Sequence, residues 1–356
     1  MSAGNIPIRH VVVEPSQWRA LHLDPYGDQA VSARVTAGHR IYEAQLRIRG
    51  GHTRGYPKPS YELRIQGGHT FHWNAEYDDP AMMRNALSFY FFNQIGVPAP
   101  KTAHFRLIVN GEPLGVYLEI EAVVPAFFQA RKLSYRSIVY AINDRAHFGR
   151  NEPRSKTPKR TLFAGYEQVA GDEGTRTRLI RFIRGVNRLK GAALRRHLAS
   201  KLDIDNYLAW LAGAVLTGNY DGFEQNYALY EHAPSGKYRI IPWDYEGTWG
   251  RNCFGVPCGS RMVRLQGYNV LTAKLFLFAK YRNAYKLLMR RLLREHFTVR
   301  GITPIAARIS RTIAADLRTD RTRKHPFAIF QGEVRFIRRY VRDRRSYIRR
   351  MLRQWN

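Results

Sequence analysis

The stretch from Asp203 to Gly250 constrains the fold more than any other part of the chain. Ile204, Leu208, Leu211 and Val215 recur at helical spacing, with Asp203 placed to cap the first turn. This apolar helix ends at Gly218, and Asn219-Tyr220-Asp221 follows at once. Five positions after Asp221 comes the amide of Asn226. A short strand then runs to Tyr230, a turn falls at Pro234-Ser235-Gly236, and a second strand leads to Trp243-Asp244-Tyr245-Glu246-Gly247. A tight hairpin of this kind puts Asp221, Asn226 and Asp244 at one edge of a small sheet. Two carboxylates and an amide oxygen are hard ligands of the type Mg2+ prefers. A surface hairpin with ordinary turn acids would also contain an Asp-x4-Asn pair, so the pair alone decides little. The second acid in its Trp-Asp-Tyr-Glu-Gly frame adds weight to a site.

An Asp, an Asn five residues on and a metal-binding Asp beyond a hairpin is the order found in protein kinases. Phosphoryl transfer asks little covalent help of a protein. It needs a hydroxyl aimed at phosphorus and cations to neutralise oxygens. One carboxylate orients the hydroxyl and takes its proton, while the other acid and the amide hold the metal.

The N-terminal part has a matching order. Residues Ile8 to Val13, Val31 to Thr36 and Ile41 to Arg49 read as strands. The third runs into Gly50-Gly51-His52-Thr53-Arg54-Gly55, where glycines allow backbone N–H groups to approach a phosphate. Lys58 opens the next strand, Ser60 to Ile65. Gly-rich hairpin loops are common, and no Gly-Lys-Ser/Thr tail opens a helix, so this is not a P-loop. Gly67 to Asp79 reads as a loop, and Pro80 to Ile95 as a helix with Asp79 as its cap. His104 to Val109 and Leu114 to Glu121 form a hairpin about Asn110-Gly111. Beyond it the chain is mostly helical: Pro125 to Lys132, Arg176 to Leu202 in one or two helices, Asn269 to Glu295, Ile302 to Leu317 and Gly332 to Arg353, with a polar loop over 150–160. The expected fold is α+β, a two-lobed protein-kinase-like fold. Residues 1–122 form a β-rich N-lobe and residues 123–356 a mostly helical C-lobe.

With 356 residues the chain is long enough for two lobes and a large core. Its 58 Lys and Arg outnumber 28 Asp and Glu, a formal net charge of +30, which draws polyanions without choosing among them. Cys253 and Cys258 lack the neighbouring ligands of a zinc site; they can form a local disulfide or remain two thiols, and thiols are expected. The N-terminus shows no apolar signal segment, and Leu208–Thr217 is too short to span a membrane, so a cytoplasmic protein with no membrane contact is expected.

The chain resembles the CotH family of atypical protein kinases, first known from spore coats. The motifs that carry the resemblance stand in order from about Arg47 to the last helix: Arg49-Gly50 with Pro57-Lys58 and Tyr61, then Asp79-Pro80 with Arg84-Asn85, then Gly96-Val97-Pro98-Ala99-Pro100. Asn110-Gly111-Glu112 with Gly115-Val116-Tyr117 and Glu121 follows, then Asp221-x4-Asn226-Tyr227 and Pro242-Trp243-Asp244 with Gly250. The resemblance implies ATP-dependent phosphorylation of Ser or Thr in a protein substrate, with Mg2+ or Mn2+. It makes Asp221 the catalytic acid and Asp244 and Asn226 metal ligands, joined by Glu246 where the family has a second Asp. Lys58 would reach the α and β phosphates, Arg49 and Thr53 belong to the phosphate loop, and Glu121, near the lobe junction, would contact adenine or ribose or pair with a basic group. A spore-coat location would follow from the family alone.

Three departures matter. The family's loop usually reads Arg-Gly-Asn-Ser-Ser/Thr, and here only Thr53 keeps a hydroxyl. Glu246 is one methylene longer than Asp. The helix Pro80 to Ile95 contains no acid, so Lys58 must pair elsewhere if it is the kinase lysine. These changes keep a pseudokinase, or a basic scaffold that binds nucleotide or polyanion, as the alternative. A nucleic-acid binder ranks third, because no recognition motif supports it.

Overall fold

The computed structural model describes residues 6–355; residues 1–5 of the expected N-lobe, and Asn356, lie outside them. Contacts divide the chain into two compact units. Unit one holds the chain up to Leu87, residues Pro100–Phe127 and residues Pro304–Arg335. Unit two holds Ser88–Ala99, Phe128–Thr303 and the C-terminal residues from Phe336.

Unit one is built on a barrel. Its strands are β1 (Ile8–Val13), β2 (Val31–Ala37), β3 (Arg40–Arg49), β4 (Ser60–Ile65), β5 (Thr70–Asn74), β6 (Thr102–Val109) and β7 (Glu112–Glu121), with helix α1 (Pro15–Leu23) after β1. Neighbours run β1-β2-β3-β4-β5-β7-β6, and parallel pairing of Ile8–Val11 with Arg106–Val109 closes the ring. Period-2 alternation sends Val31, Ala33 and Val35 of β2 and Ala44, Leu46 and Ile48 of β3 inward. Tyr61, Trp73, Phe105 and Tyr117 complete that core.

The β-rich N-lobe expected from sequence is a closed barrel with one strand more than the six read there. Its extra strand, β5, lies in the segment read as a loop. The segment has two glycines and only Phe71 and Trp73 as large apolar residues, so local pattern is weak. Pairing fixes it instead, Trp73 standing opposite Tyr61 on one side and Glu119 on the other.

Helix α2 (Arg84–Gln94) begins four residues later than expected. The Asp79 carboxylate accepts from the N–H groups of Ala81, Met83 and Arg84 at 2.8–2.9 Å, which organises a turn before the helix. Met82 within it adopts φ of 50°, off the helical path. Arg84 is fully buried, and its guanidinium bonds both Asp79 and, at 2.6 Å, Glu333.

Unit two centres on a four-stranded sheet of β8 (Tyr135–Ala141), β9 (Tyr166–Ala170), β10 (Tyr227–His232) and β11 (Lys237–Pro242), in the order β11-β10-β8-β9. Helices α3 (Pro125–Gln129), α9 (Val299–Thr319) and α10 (Phe327–Gln354) each run from one unit into the other, whereas α4 (Gly174–Arg188), α5 (Gly191–Lys201), α6 (Ile204–Thr217), α7 (Val270–Leu275) and α8 (Ala279–Glu295) belong to unit two. The segment Asn269 to Glu295, expected as one helix, breaks around Phe276–Phe278 into α7 and α8. Leu189 and Lys190 likewise divide α4 from α5. Helix α6 packs on β11 and is buried from Tyr207 to Thr217 apart from half-buried Ala209, so it acts as the core of the unit. Asp203 caps it as expected, its carboxylate accepting from Asn206 N at 3.1 Å. Gly218 ends it in the left-handed region at φ 76°.

Candidate active site

The three residues read as catalytic machinery meet at one end of the β10–β11 hairpin. Tyr227, the first residue of β10, pairs with Pro242, the last of β11. Asn226 and Trp243 therefore flank the open end of the ladder, and Trp243 N donates to Asn226 O at 3.2 Å. From the other side of β10, Asn226 N donates to Ala141 O of β8 at 3.0 Å. The backbone of Asn226 is thus held by two strands.

Asp221 lies in the loop between α6 and β10. Its Oδ1 accepts from Gln225 Nε2 at 2.6 Å, and its Oδ2 from Asn226 Nδ2 at 3.0 Å. The two amides fix the carboxylate in one orientation. Asn219, 1% exposed, ties the loop to the second acid by donating from Nδ2 to Asp244 O at 3.3 Å. Trp249 N donates to Thr217 O at 2.7 Å, which anchors the segment after Asp244 to the end of α6.

Left-handed backbone occurs here at three of the nine described non-glycine positions that adopt it. Asn226 and Asp244 adopt φ of 59° and 57°, and Trp249 φ of 54°. Left-handed backbone costs a residue with a Cβ roughly 1–2 kcal/mol and persists where surrounding structure fixes it, as at functional sites. Electrostatics give a second sign of convergence. The Cys253 thiol is pushed up to about 11, first by burial and then by the negative charges of Asp221, Glu246 and Asp244. All three acids act on that one sulfur. Cys253 and Cys258 are both unbonded thiols, as expected.

The donors here suit a hard cation. Asp244 and Glu246 carry carboxylates and Asn226 an amide oxygen, the hard ligand types Mg2+ prefers, and the Nδ2 bond to Asp221 leaves that amide oxygen available. Among the described residues no group of three or more His, Cys, Asp or Glu is gathered to hold a metal ion.

The residues read as nucleotide-binding belong to unit one. Arg49 ends β3, and its Nη1 donates to Asn74 Oδ1 at 2.9 Å. Thr53 lies in a single 3-10 turn, His52–Gly55, whose N–H groups partly close on the turn itself: Arg54 N donates to Gly51 O at 3.3 Å and Tyr56 N to Thr53 O at 3.2 Å. Gly50, at φ 120°, leaves room for the Thr53 hydroxyl where a Cβ would collide with it. Glu121 ends β7, and its Oε2 accepts from Lys101 N at 3.0 Å. Lys58 is 4% exposed, and its ammonium donates to Val116 O at 2.7 Å. Burial pushes Lys58 down to about 8.

Sequence reasoning missed three supporting residues. Gln225 stands four positions after Asp221, a spacing open to inspection but without a chemical signature. Asn219 directly follows the helix-ending glycine. Asp320, whose Oδ2 lies 3.4 Å from Lys58 Nζ, is 262 positions away, and no local pattern identifies it.

Comparison with known proteins supplies the family. The sequence model of a family described as "CotH kinase protein" matches residues 46–348. The chain is 34% identical over 352 residues to the inner spore coat protein H of Bacillus subtilis (strain 168), covering 97% of each chain. It is 26% identical over 290 residues to the inner spore coat protein H-like protein of the same strain, covering 81% of this chain and 82% of that one. Among solved structures, a Helicobacter pylori proinflammatory kinase, CtkA, aligns with 83% of this chain and 93% of its own at 10% identity, with a TM-score of 0.35. Its likeness is too slight to bear on the site. The extent of the family match and the near full-length similarity to inner spore coat protein H place this chain in the CotH kinase family.

Proposed function

We propose that this protein is an ATP-dependent protein kinase that phosphorylates Ser or Thr of a protein substrate. The observation that carries the reading is the meeting of Asp221, Asn226 and Asp244 at one end of the β10–β11 hairpin, with left-handed backbone at two of them. Asp221, its carboxylate aimed by Gln225 and Asn226, orients the acceptor hydroxyl and holds its proton on a carboxylate oxygen. Asp244 and Asn226, with Glu246 behind them, are the residues that would hold Mg2+ or Mn2+. The metal, when bound, would neutralise charge on phosphate oxygens. Lys58 is assigned to the α and β phosphates, Arg49 and Thr53 to the phosphate loop, and Glu121 to the nucleoside. In this reading residues 1–122 are the nucleotide lobe and residues 123–356 the catalytic lobe of a two-lobed kinase. The similarity to an inner spore coat protein supports a spore-coat role. Among the described residues no helix is long and apolar enough to cross a membrane.

A second reading has its own support. The turn at Thr53 partly bonds to itself, and Lys58 is nearly sealed from solvent. A pseudokinase, or a scaffold that uses its +30 charge to hold a polyanion, fits those two features.

Transfer of labelled γ-phosphate from ATP, with metal present, separates the readings. Wild type is compared with Asp221→Ala and Asp244→Asn on a basic protein and on a Ser/Thr-rich peptide. Label with wild type and none with either variant is expected. Full activity in Asp244→Asn would reject the metal assignment. No label at all, while ATP still raises the melting temperature, would favour the pseudokinase.

A further inference from the structure

Helix α2 contains no acid, and the carboxylate beside Lys58 comes from the turn between α9 and α10. Lys58 Nζ and Asp320 Oδ2 lie 3.4 Å apart, with side chains only 3% and 2% exposed. Asp320 is fixed on every side. Its Oδ2 accepts from Val116 N at 2.8 Å, and its Oδ1 accepts from Thr322 N at 2.8 Å and from the Thr322 hydroxyl at 2.6 Å. Val116 therefore brackets the pair: its carbonyl takes the ammonium and its N–H takes the carboxylate. The close approach depends on Gly115, at φ 87°, where a Cβ would run into the Asp320 carboxylate and the Thr322 hydroxyl. The ammonium also sits 4.8 Å from the ring centroid of Tyr117 on β7.

A buried ion pair costs desolvation that a pair of apolar residues would not, so it is weak evidence for a purely stabilising role. The lysine also borders a cavity of about 10 Å³, room for a single water. Lys58 lines it together with Glu76 and Asp79, and the same turn contributes Arg323, Lys324 and His325 to its wall. The turn thus brings one carboxylate to the lysine and further cationic groups to the space the lysine faces. Arg323 is held there by a bond from Nη2 to Pro80 O at 3.1 Å, and Lys324 by Asp78.

We propose that Asp320 is a positioning residue that holds Lys58 for the phosphates of a nucleoside triphosphate, and that the α9–α10 turn is part of the nucleotide-binding site. The proposal rests on Lys58 being the nucleotide lysine. In other kinases a helix Glu pairs with that lysine. Here a carboxylate near the C-terminus of the sequence takes the role, and β7 and the turn are locked together through Gly115.

The charged groups facing Lys58 give the proposal its readout. Burial lowers the lysine to about 8, the Asp320 charge pulls it upward, and Arg323 lowers it further. Glu76, Asp79, Lys324 and His325 share the cavity, and Tyr117 lies beside the ammonium. The ammonium is present below about pH 8 and is lost above it. Phosphate binding therefore weakens as pH rises through that value. Without the Asp320 charge the loss moves to lower pH.

The test is binding of ATP with Mg2+ to the full chain between about pH 7 and pH 9.5, a window above ordinary imidazole titration and below that of ordinary tyrosine. Wild type, Asp320→Asn, Asp320→Glu, Thr322→Val and Lys58→Met are compared, with phosphate transfer measured alongside. Asp320→Asn is expected to bind about tenfold more weakly, with its alkaline limb at lower pH, and Asp320→Glu to recover most of the loss. Thr322→Val loosens Asp320 without leaving Lys58 unpaired and should show the same shift on a smaller scale. It decides the matter if Asp320→Asn does not fold, since an unchanged alkaline limb there overturns the proposal. Wild-type binding and pH profile in Asp320→Asn, beside lost binding in Lys58→Met, overturns the role of Asp320 and keeps that of Lys58. Unaltered binding in Lys58→Met overturns both. The expected shifts without phosphate transfer by wild type sustain the proposal and reject the kinase activity alone.

Discussion

Asn226 donates its side-chain amide to Asp221 Oδ2 at 3.0 Å while its own backbone holds a left-handed φ of 59°. One residue thereby fixes the Asp221 carboxylate and turns the chain into β10. Asn226→Gly separates these tasks. Glycine adopts that φ freely, so the melting temperature should move by only a few degrees. Loss of the amide should lower phosphate transfer about a hundredfold, the scale seen when one fixed polar group is removed from a reaction site. Nearly full activity would remove Asn226 from the site.

Arg84 joins Asp79 and Glu333 with no part of it exposed. Arg84→Leu would leave two carboxylates buried without their cation, at a cost of about 3–5 kcal/mol. Denaturant unfolding measures it. A loss below about 1 kcal/mol, the scale of an exposed pair, would mean that water reaches the acids.

Gly218 ends α6 at φ 76°, and a Cβ there would meet the Tyr340 hydroxyl, which itself donates to Leu216 O at 3.0 Å. Gly218→Ala should cost more than about 1 kcal/mol through backbone strain alone. Transfer should fall as well, because Asn219 and Asp221 follow directly. Unfolding curves and initial rates on the same preparation check both.

Cys253 reports on the acids. Negative neighbours disfavour the thiolate, so making one of them neutral lowers the thiol's pKa and raises the thiolate fraction at a given pH. In a Cys258→Ser background, Asp221→Asn should speed alkylation of Cys253 at pH 8. An unchanged rate would mean that Asp221 does not act on the sulfur. A substitution at an exposed acid that does not act on the thiol, Asp28→Asn, serves as the control.

The sequence by itself determined what short-range chemistry controls. Asp203 and Gly218 bound α6 because a capping carboxylate and a left-handed glycine act within one turn. The hairpin that joins Asn226 to Asp244 was legible for the same reason: two strands around a six-residue ladder leave little choice of register. Tertiary structure decided what long-range pairing controls. Strand β5 exists through its partners β4 and β7, and the barrel closes through a parallel contact between β1 and β6, which lie almost a hundred residues apart. Helix α2 starts at Arg84 because Asp79 gathers the preceding N–H groups, where pattern alone favoured Pro80. Asp320 is the sharpest case. Its meaning depends on Lys58 and on the backbone of Val116, both more than two hundred positions distant, and only folding makes them neighbours.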